Sequence, residues 1–447
     1  MMADIAHLSS PDLGGRLTGT RDDLQSARFV SERFTVLGLK PFSTYPNGLM
    51  TTEVIATHIA ATPAPVIRLE SKERASVFRI GHDYLPILDS PSIDVTAPLV
   101  FVGYGISDPV HQWDEYADVD VRDRIVVFLR GKPDGYPYPI AQADKVRTAR
   151  QKGAAAFLTF TGPLLNPYEA RRGMGPLPLA LYNQTGPDSS LAGAWIHTDL
   201  ATQLFSERSL VEIQQRLQAK NPQSFQTDMQ LHLAWLTTQE NGLLHNVMGL
   251  LPGADPSLAN EIVVIGAHRD HFGKQGGLWF PGADDNASGT AVLLEITRAL
   301  AGSDTKRKRS IVFVSFSGEE QGLLGSRYYV QQTLSMKSNV VAMINMDHAG
   351  IGNGRLTVGV TGLDRSMATR AGERAGIKDL LDVYGFFPGG DHVPFHEVGI
   401  PTITVVSGGI HPHYHQPTDS LETLSAEILE RTATYILSLV EQLTSEH

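Results

Sequence analysis

Two textures of apolar and polar residues run along this chain, and they meet near Asn246. In the first, Leu24, Ala27, Val30 and Phe34 recur on one helical face after Thr20, a capping residue. Gly38 and Pro41 close the run, so the pattern predicts a helix there. Residues 51–70 are rich in β-formers. From Ala97 onward, "PLVFVGYGI" and "RIVVFLRG" predict strands bounded by glycine and charge. "KVRTARQKGAAAFLTF" predicts a helix, a glycine stop and a further strand. This stretch holds no cluster of His, Asp and Glu, and reads as a β-rich module without chemistry of its own.

The second texture repeats strand, loop, helix. "EIVVIGAH", "IVFVSFS", "VVAMINMD", "RLTVGV" and "PTITVVSG" are continuous apolar runs. Helical patterns such as "SGTAVLLEITRAL" and the closing "LSAEILERTATYILSLVEQL" lie between and after them. Continuous apolar strands separated by helices predict a mainly parallel sheet covered on both faces. Ligands of such sheets bind beyond the carboxyl ends of the strands.

Composition narrows the chemistry. The 447 residues are 42% hydrophobic and 19% charged, the balance of a globular protein of two or three domains. The net charge of −11 gives no support to nucleic-acid binding. The run Lys306-Arg307-Lys308-Arg309 reads as a solvated turn. No stretch reaches the ~18 apolar residues of a membrane helix, and no signal peptide is visible. There is no cysteine, so a metal site must be built from His, Asp and Glu.

Those residues gather at the strand ends. "EIVVIGA" is followed by His268-Arg269-Asp270-His271, and a glycine-rich loop then reaches Asp284 and Asp285. "IVFVSFSG" leads into Glu319 and Glu320, and "VVAMINM" into Asp347-His348. "PTITVVSGG" leads into "IHPHYHQPTD", with His411, His413, His415 and Asp419. Histidines mixed with carboxylates suit zinc, and one carboxylate can bridge two ions ~3.5–4 Å apart. A paired ion site also needs a carboxylate to take the proton of the attacking water. Two adjacent glutamates can divide those tasks, one binding metal and the other acting as general base.

In "GAHRDHFG", "PGADDNASG", "SFSGEEQGLLGS", "INMDHAG" and "HYHQPTDS", taken in order, the chain resembles the co-catalytic di-zinc aminopeptidase family. Bacterial leucine aminopeptidases, glutamate carboxypeptidase and glutaminyl cyclase are among its relatives. "LSSPDLGGRLTGT" near the N-terminus fits the same family. "FVGYGI", "YADVDVRDRIVVFLRG" and "KVRTARQKGAAAFL" resemble a protease-associated domain. The resemblance implies an α/β zinc exopeptidase fold, with a mainly parallel, mixed central sheet flanked by helices and an inserted β-rich protease-associated domain. Residues 1–72 and 236–447 would form the catalytic part. Residues 73–235 would carry the insert and its connections, with a core at 92–195 that shades the cleft.

The resemblance also implies roles. Two zinc ions per chain would be held, one by His268 and Asp347 and the other by Glu320 and His415, with Asp285 between them. Glu319 would be the general base for a metal-activated hydroxide. Asp270 would orient His268, and Tyr414 would stabilise the oxyanion. The Asp285–Asn286 peptide bond would be cis. His271, His348, His411 and His413 match no ligand position and are expected to be bystanders or outer groups. Gly390 and His413 depart from the residues common in relatives, which bears on substrate preference. The implied activity is removal of N-terminal residues from peptides, with an extracytoplasmic location and no nucleic-acid or membrane partner. The oligomeric state stays open. One alternative is a glutamate-type carboxypeptidase using Arg171-Arg172, and another is a receptor-like homologue without catalysis.

Overall fold

The computed structural model describes residues 1–42, 44–70, 76–165, 175–183, 190–305, 307–334 and 339–445. Its contacts separate two units. One comprises Met1–Ala56, Glu240–Gly273 and Trp279–His447, the other Thr57–Gln239 and Lys274–Leu278.

The first unit is organised by an eight-stranded sheet. Its strands are β1 (Leu49–Ile59), β2 (Thr237–Leu251), β3 (Ile262–His268), β4 (Ser310–Phe316), β5 (Val340–Asp347), β6 (Leu356–Thr361), β7 (Leu381–Tyr384) and β8 (Thr402–Ser407). The order across the sheet is β1-β2-β4-β3-β5-β8-β6-β7. The centre, β4-β3-β5-β8, is parallel, and β2 and β6 run antiparallel to their neighbours β4 and β8. The sheet is therefore mixed with a parallel heart.

Strand β3 shows why the central strands read as unbroken apolar runs. Val263, Ile265 and Ala267 pack into one core with Ala27, Val30 and Phe34 of α1 (Arg21–Val36). Val292 and Ile296 of α2 (Gly289–Ala301) and Ile436 and Leu439 of the C-terminal Ala426–Ser445 helix join that core. Ile262 and Val264 face a second core with Tyr329 and Val330 of α3 (Leu324–Thr333) and Phe395 of α4 (His392–Glu397). Both faces are buried, so alternation disappears. Between them Gly266 admits the Phe316 ring, since a Cβ there would meet Phe316 Cε2 at 2.4 Å. Thr20 caps α1, its side chain accepting from the Asp23 N–H, and Gly38 follows the helix with φ of 78°.

The second unit contains another eight-stranded sheet, in which Ile93–Val102, Ile125–Leu129, Ala156–Phe160 and Gly193–Ile196 run parallel. Residues 57–70, grouped by sequence with the catalytic part, fall in this unit, where Val66–Glu70 pairs with Ser224–Trp235. Among the described residues, no helix is long and apolar enough to cross a membrane.

Candidate metal centre

Parallel register carries the candidate residues to one edge. His268 stands opposite Phe316, Gly266 opposite Asn345, and Asp347 opposite Val406. The ends of β3, β4, β5 and β8 thus coincide, and their loops converge. The loops are pinned from behind by two guanidinium groups with no exposed surface. Arg16 donates to the carbonyls of Arg269 (2.5 Å), Leu8 (2.5 Å), Pro281 (2.7 Å) and Gly282 (2.8 Å). Arg269 donates to Asp23 Oδ1 at 2.8 Å and to the carbonyls of Ser315 and Phe316 at 3.1 Å. A buried guanidinium is tolerable when its donors are satisfied.

The ligand candidates form two groups that share one residue. His268 Nε2 lies 3.4 Å from Asp285 Oδ1 and 3.3 Å from Asp347 Oδ1. His415 Nε2 lies 3.2 Å from Asp285 Oδ2 and 3.5 Å from Glu320 Oε2. A tetrahedral ion with bonds of 2.0–2.2 Å spaces its ligands about 3.3–3.6 Å apart. The donor set and these spacings fit zinc, and Asp285 offers one oxygen to each group, the arrangement of a bridging carboxylate. The Asp285–Asn286 bond is cis. Asp285 is held by its neighbours: Asp419 accepts the N–H groups of Asp284 (2.9 Å) and Asp285 (3.0 Å), and Asn286 Nδ2 donates to Met346 O at 3.0 Å.

The remaining expected residues lie beside these groups. Asp270 is fully buried, with Oδ1 3.6 Å from His268 Nδ1. Its two oxygens face the N–H groups of Glu319 and Glu320 at 3.3 and 3.4 Å. It therefore touches both the imidazole and the turn that carries the glutamate pair. Glu320 is buried and Glu319 partly exposed. The Tyr414 ring stacks on His415 at 3.7 Å between centroids, and its neighbour His413 bonds Thr418 Oγ1 at 2.9 Å.

Several groups that the sequence reading set aside or passed over belong to this centre. His271, fully buried, approaches Glu320 Oε1 with Nδ1 at 2.7 Å and Asp285 Oδ2 at 4.0 Å. His348 Nε2 lies 3.7 Å from Asp347 Oδ1 and 3.8 Å from Asp285 Oδ2, while His348 Nδ1 is 3.4 Å from Asp284 Oδ2. His411 Nδ1 is 2.7 Å from the same Asp284 oxygen. Asp391 is fully buried. The signal for the histidines was present as "HRDH" and "DH" at strand ends. Arg171-Arg172, the pair on which the carboxypeptidase alternative leans, lie outside the described residues.

Burial and mutual repulsion shape the charges. Burial, with Asp347, Asp391 and Asp285 adding to it against His268, holds the Glu319 carboxyl well above the usual range. Burial, Asp285 and Glu319 do the same to Glu320. Burial pushes Asp391 up to about 7 and Asp419 up to about 8. Burial disfavours charge on Asp285, yet His348, His415 and His271 hold it well below the carboxylate range. Burial likewise opposes charge on His348, but Asp285, Asp347 and Asp284 raise it to about 10. His271 goes the other way: burial keeps it far below the usual imidazole value. Perturbations of both signs on one strand edge mark a functional centre.

Residues 246–440 match the model of peptidase family M28. The chain is 33% identical over 192 residues to aminopeptidase YwaD of Bacillus subtilis (strain 168), covering 40% of each protein. It is 31% identical over 225 residues to leucine aminopeptidase 1 of Metarhizium robertsii, covering 44% of this chain and 54% of that protein. The matched stretch thus spans about half the length of these curated relatives. Among solved structures, an aminopeptidase from Aneurinibacillus sp. strain AM-1 superposes with a TM-score of 0.71 at 23% identity, covering 100% of this chain and 94% of that one. BSAP, a zinc aminopeptidase from Bacillus subtilis, gives 0.67 at 22% identity with 100% and 94% covered, so the fold is shared along the whole chain. Residues 246–440 of this chain are thus similar to peptidase family M28.

Proposed function

We propose that this protein is a zinc-dependent aminopeptidase that takes two zinc ions and hydrolyses the N-terminal bond of peptides. One observation carries the reading. Five ligand groups from four strand ends and one loop meet at 3.2–3.5 Å, around a shared Asp285 and beside a further glutamate, Glu319. His268, Asp285 and Asp347 would hold one ion, and Glu320, Asp285 and His415 the other. Bound zinc supplies Lewis acidity, which polarises a carbonyl and acidifies water.

The chain's own groups would do the rest. Glu319 takes a proton at its carboxylate from the attacking water and returns it to the leaving amine. Burial raises its proton affinity, which helps it hold the proton between the two steps. Asp270 holds the glutamate turn through its two N–H groups and faces His268 Nδ1, so base and ligand keep one spacing. Tyr414, stacked on His415, is the candidate donor to the developing oxyanion. Carboxylates at the ion site attract a free α-amine, which favours the N-terminus over internal bonds. The names of the relatives, aminopeptidases both, support the same reading.

The test uses the zinc-loaded protein, a plain tripeptide and its N-acetylated twin, with product masses measured. Loss of the N-terminal residue from the free peptide alone is expected. Release from the C-terminal end of both peptides would instead make the protein a carboxypeptidase.

A further inference from the structure

Asp284, His348 and His411 form a cluster that the roles above leave unused. Their potential ligand atoms all lie within 4.8 Å of one another. Asp284 is 3% exposed, and the imidazoles of His348 and His411 are 17% and 12% exposed. The rings of the two histidines stand 5.1 Å apart at 69°.

Each of the three has its second polar atom facing a protein group. Asp284 Oδ1 accepts the Gly350 N–H at 2.8 Å, which leaves Oδ2 pointing into the cluster. His411 Nε2 lies 3.0 Å from the Ser407 carbonyl. A carbonyl only accepts, so Nε2 carries a proton, and Nδ1 faces Asp284 Oδ2 at 2.7 Å either as a lone pair or with a second proton. Two lone pairs 2.7 Å apart repel unless a cation stands between them. His348 Nε2 faces the carboxylates of Asp347 and Asp285 at 3.7 and 3.8 Å. His348 Nδ1, a buried atom, lies 3.4 Å from the same Asp284 Oδ2. Outward groups that fix the tautomer of an imidazole and the orientation of a carboxylate are the usual surroundings of metal ligands.

We propose that Asp284 Oδ2, His348 Nδ1 and His411 Nδ1 form a third divalent-cation site next to the two-zinc group. Two imidazoles and a carboxylate suit zinc or a neighbouring first-row ion. The three ligands adjoin the zinc ligands in sequence: Asp284 precedes Asp285, His348 follows Asp347, and His411 stands four before His415. An ion here ties together the loops that carry three of the five zinc ligands. The 2.7 Å pair opens by a few tenths of an ångström on loading, because bonds of 2.0–2.2 Å need ligands about 3 Å apart or more. The rival occupant is a proton, which would make His411 an imidazolium paired with Asp284.

Zinc titration by calorimetry, with metal analysis of the dialysed protein, tests the site. The wild type saturates at three equivalents and His411→Gln at two. Saturation of both at two overturns the proposal. If His411→Gln fails to fold, ¹⁵N NMR of the zinc-saturated wild type decides alone. An unprotonated, zinc-shifted His411 Nδ1 supports the site, and a ring protonated on both nitrogens overturns it. The proposal takes its baseline of two from the peptidase reading, and peptide cleavage is scored separately. Two equivalents with cleavage removes only the third site, whereas fewer than two removes both.

Discussion

Glu319 and Glu320 are neighbours in sequence, and under the proposed reading their tasks would separate because Asp270 accepts from both of their N–H groups and so sets how the turn presents each side chain. Glu320 points into a pocket with His415 and His271, while Glu319 keeps partial exposure. Glu319→Gln is expected to keep its zinc and lose kcat/KM by ~10²–10⁴, the usual contribution of a positioned base. Steady-state kinetics beside metal analysis reads both, and loss of zinc would make Glu319 a ligand instead. His271 tests a different role. Its Nδ1 lies 2.7 Å from the Glu320 oxygen not aimed at His415, a placement that would orient Glu320 as a ligand. His271→Leu should weaken zinc at that site by ~10–100-fold, the typical effect of removing such a support; unchanged affinity in a competition assay would remove the role. Four of the expected ligands could be placed because they follow strong apolar runs, whereas Asp285 follows a glycine-rich loop. The supports were not: nothing in the spacing of "HRDH" says whether the second histidine faces Glu320 or solvent.

At the scale of elements, legibility followed burial. The central strands announced themselves because both faces of β3, β4 and β5 are covered. The helix after Thr20 showed its buried stripe at Ala27, Val30 and Phe34. The break between units did not announce itself, because Val66–Glu70 is an ordinary β-rich segment whose partner, Ser224–Trp235, lies far along the chain. Arg16 was hidden for a related reason, since an arginine in a glycine-rich turn reads as solvated. In the fold it sits at φ of 56°, fully buried, and joins the turn after β3 to the loop that precedes Asp285. Arg16→Met would take a donor from four carbonyls and should cost ~3–5 kcal/mol in urea unfolding. The half-exposed pair Arg327–Glu397 supplies the contrast: Arg327→Ala should cost under ~1 kcal/mol. Equal costs would mean that the Arg16 contacts are not what hold this segment.

For the molecule as a whole, the crowding of carboxyls at one sheet edge sets a pH dependence. Asp391 at about 7, Asp419 at about 8, and the raised Glu319 and Glu320 bind their protons more tightly in the fold than in the unfolded chain. Below about pH 4 both states are protonated and the groups favour neither. As pH rises toward 8 the unfolded chain releases its protons first, so these groups increasingly oppose folding. His268 and His348, whose proton affinities are raised, act in the same direction as pH rises through their folded values. Asp284 and Asp285, depressed below the ordinary carboxylate range, gain their share lower down, outside the interval from 5 to 8. His271 and His392, whose proton affinities burial lowers, act the other way as pH rises through about 6.5, but they are outnumbered, so the chelator-treated protein should lose unfolding free energy from pH 5 to pH 8. Asp391→Asn should flatten that slope, because it removes one buried charge that zinc does not bind. Zinc should restore stability most at pH 8, where the carboxylates are charged and an ion bound only by the fold shifts the equilibrium. Denaturant midpoints at the two pH values, with and without zinc, measure all three effects. A chelated protein that grows more stable toward pH 8 would show that its buried carboxyls are already ionised in the fold, and that their repulsion is balanced by the two buried guanidiniums rather than by zinc.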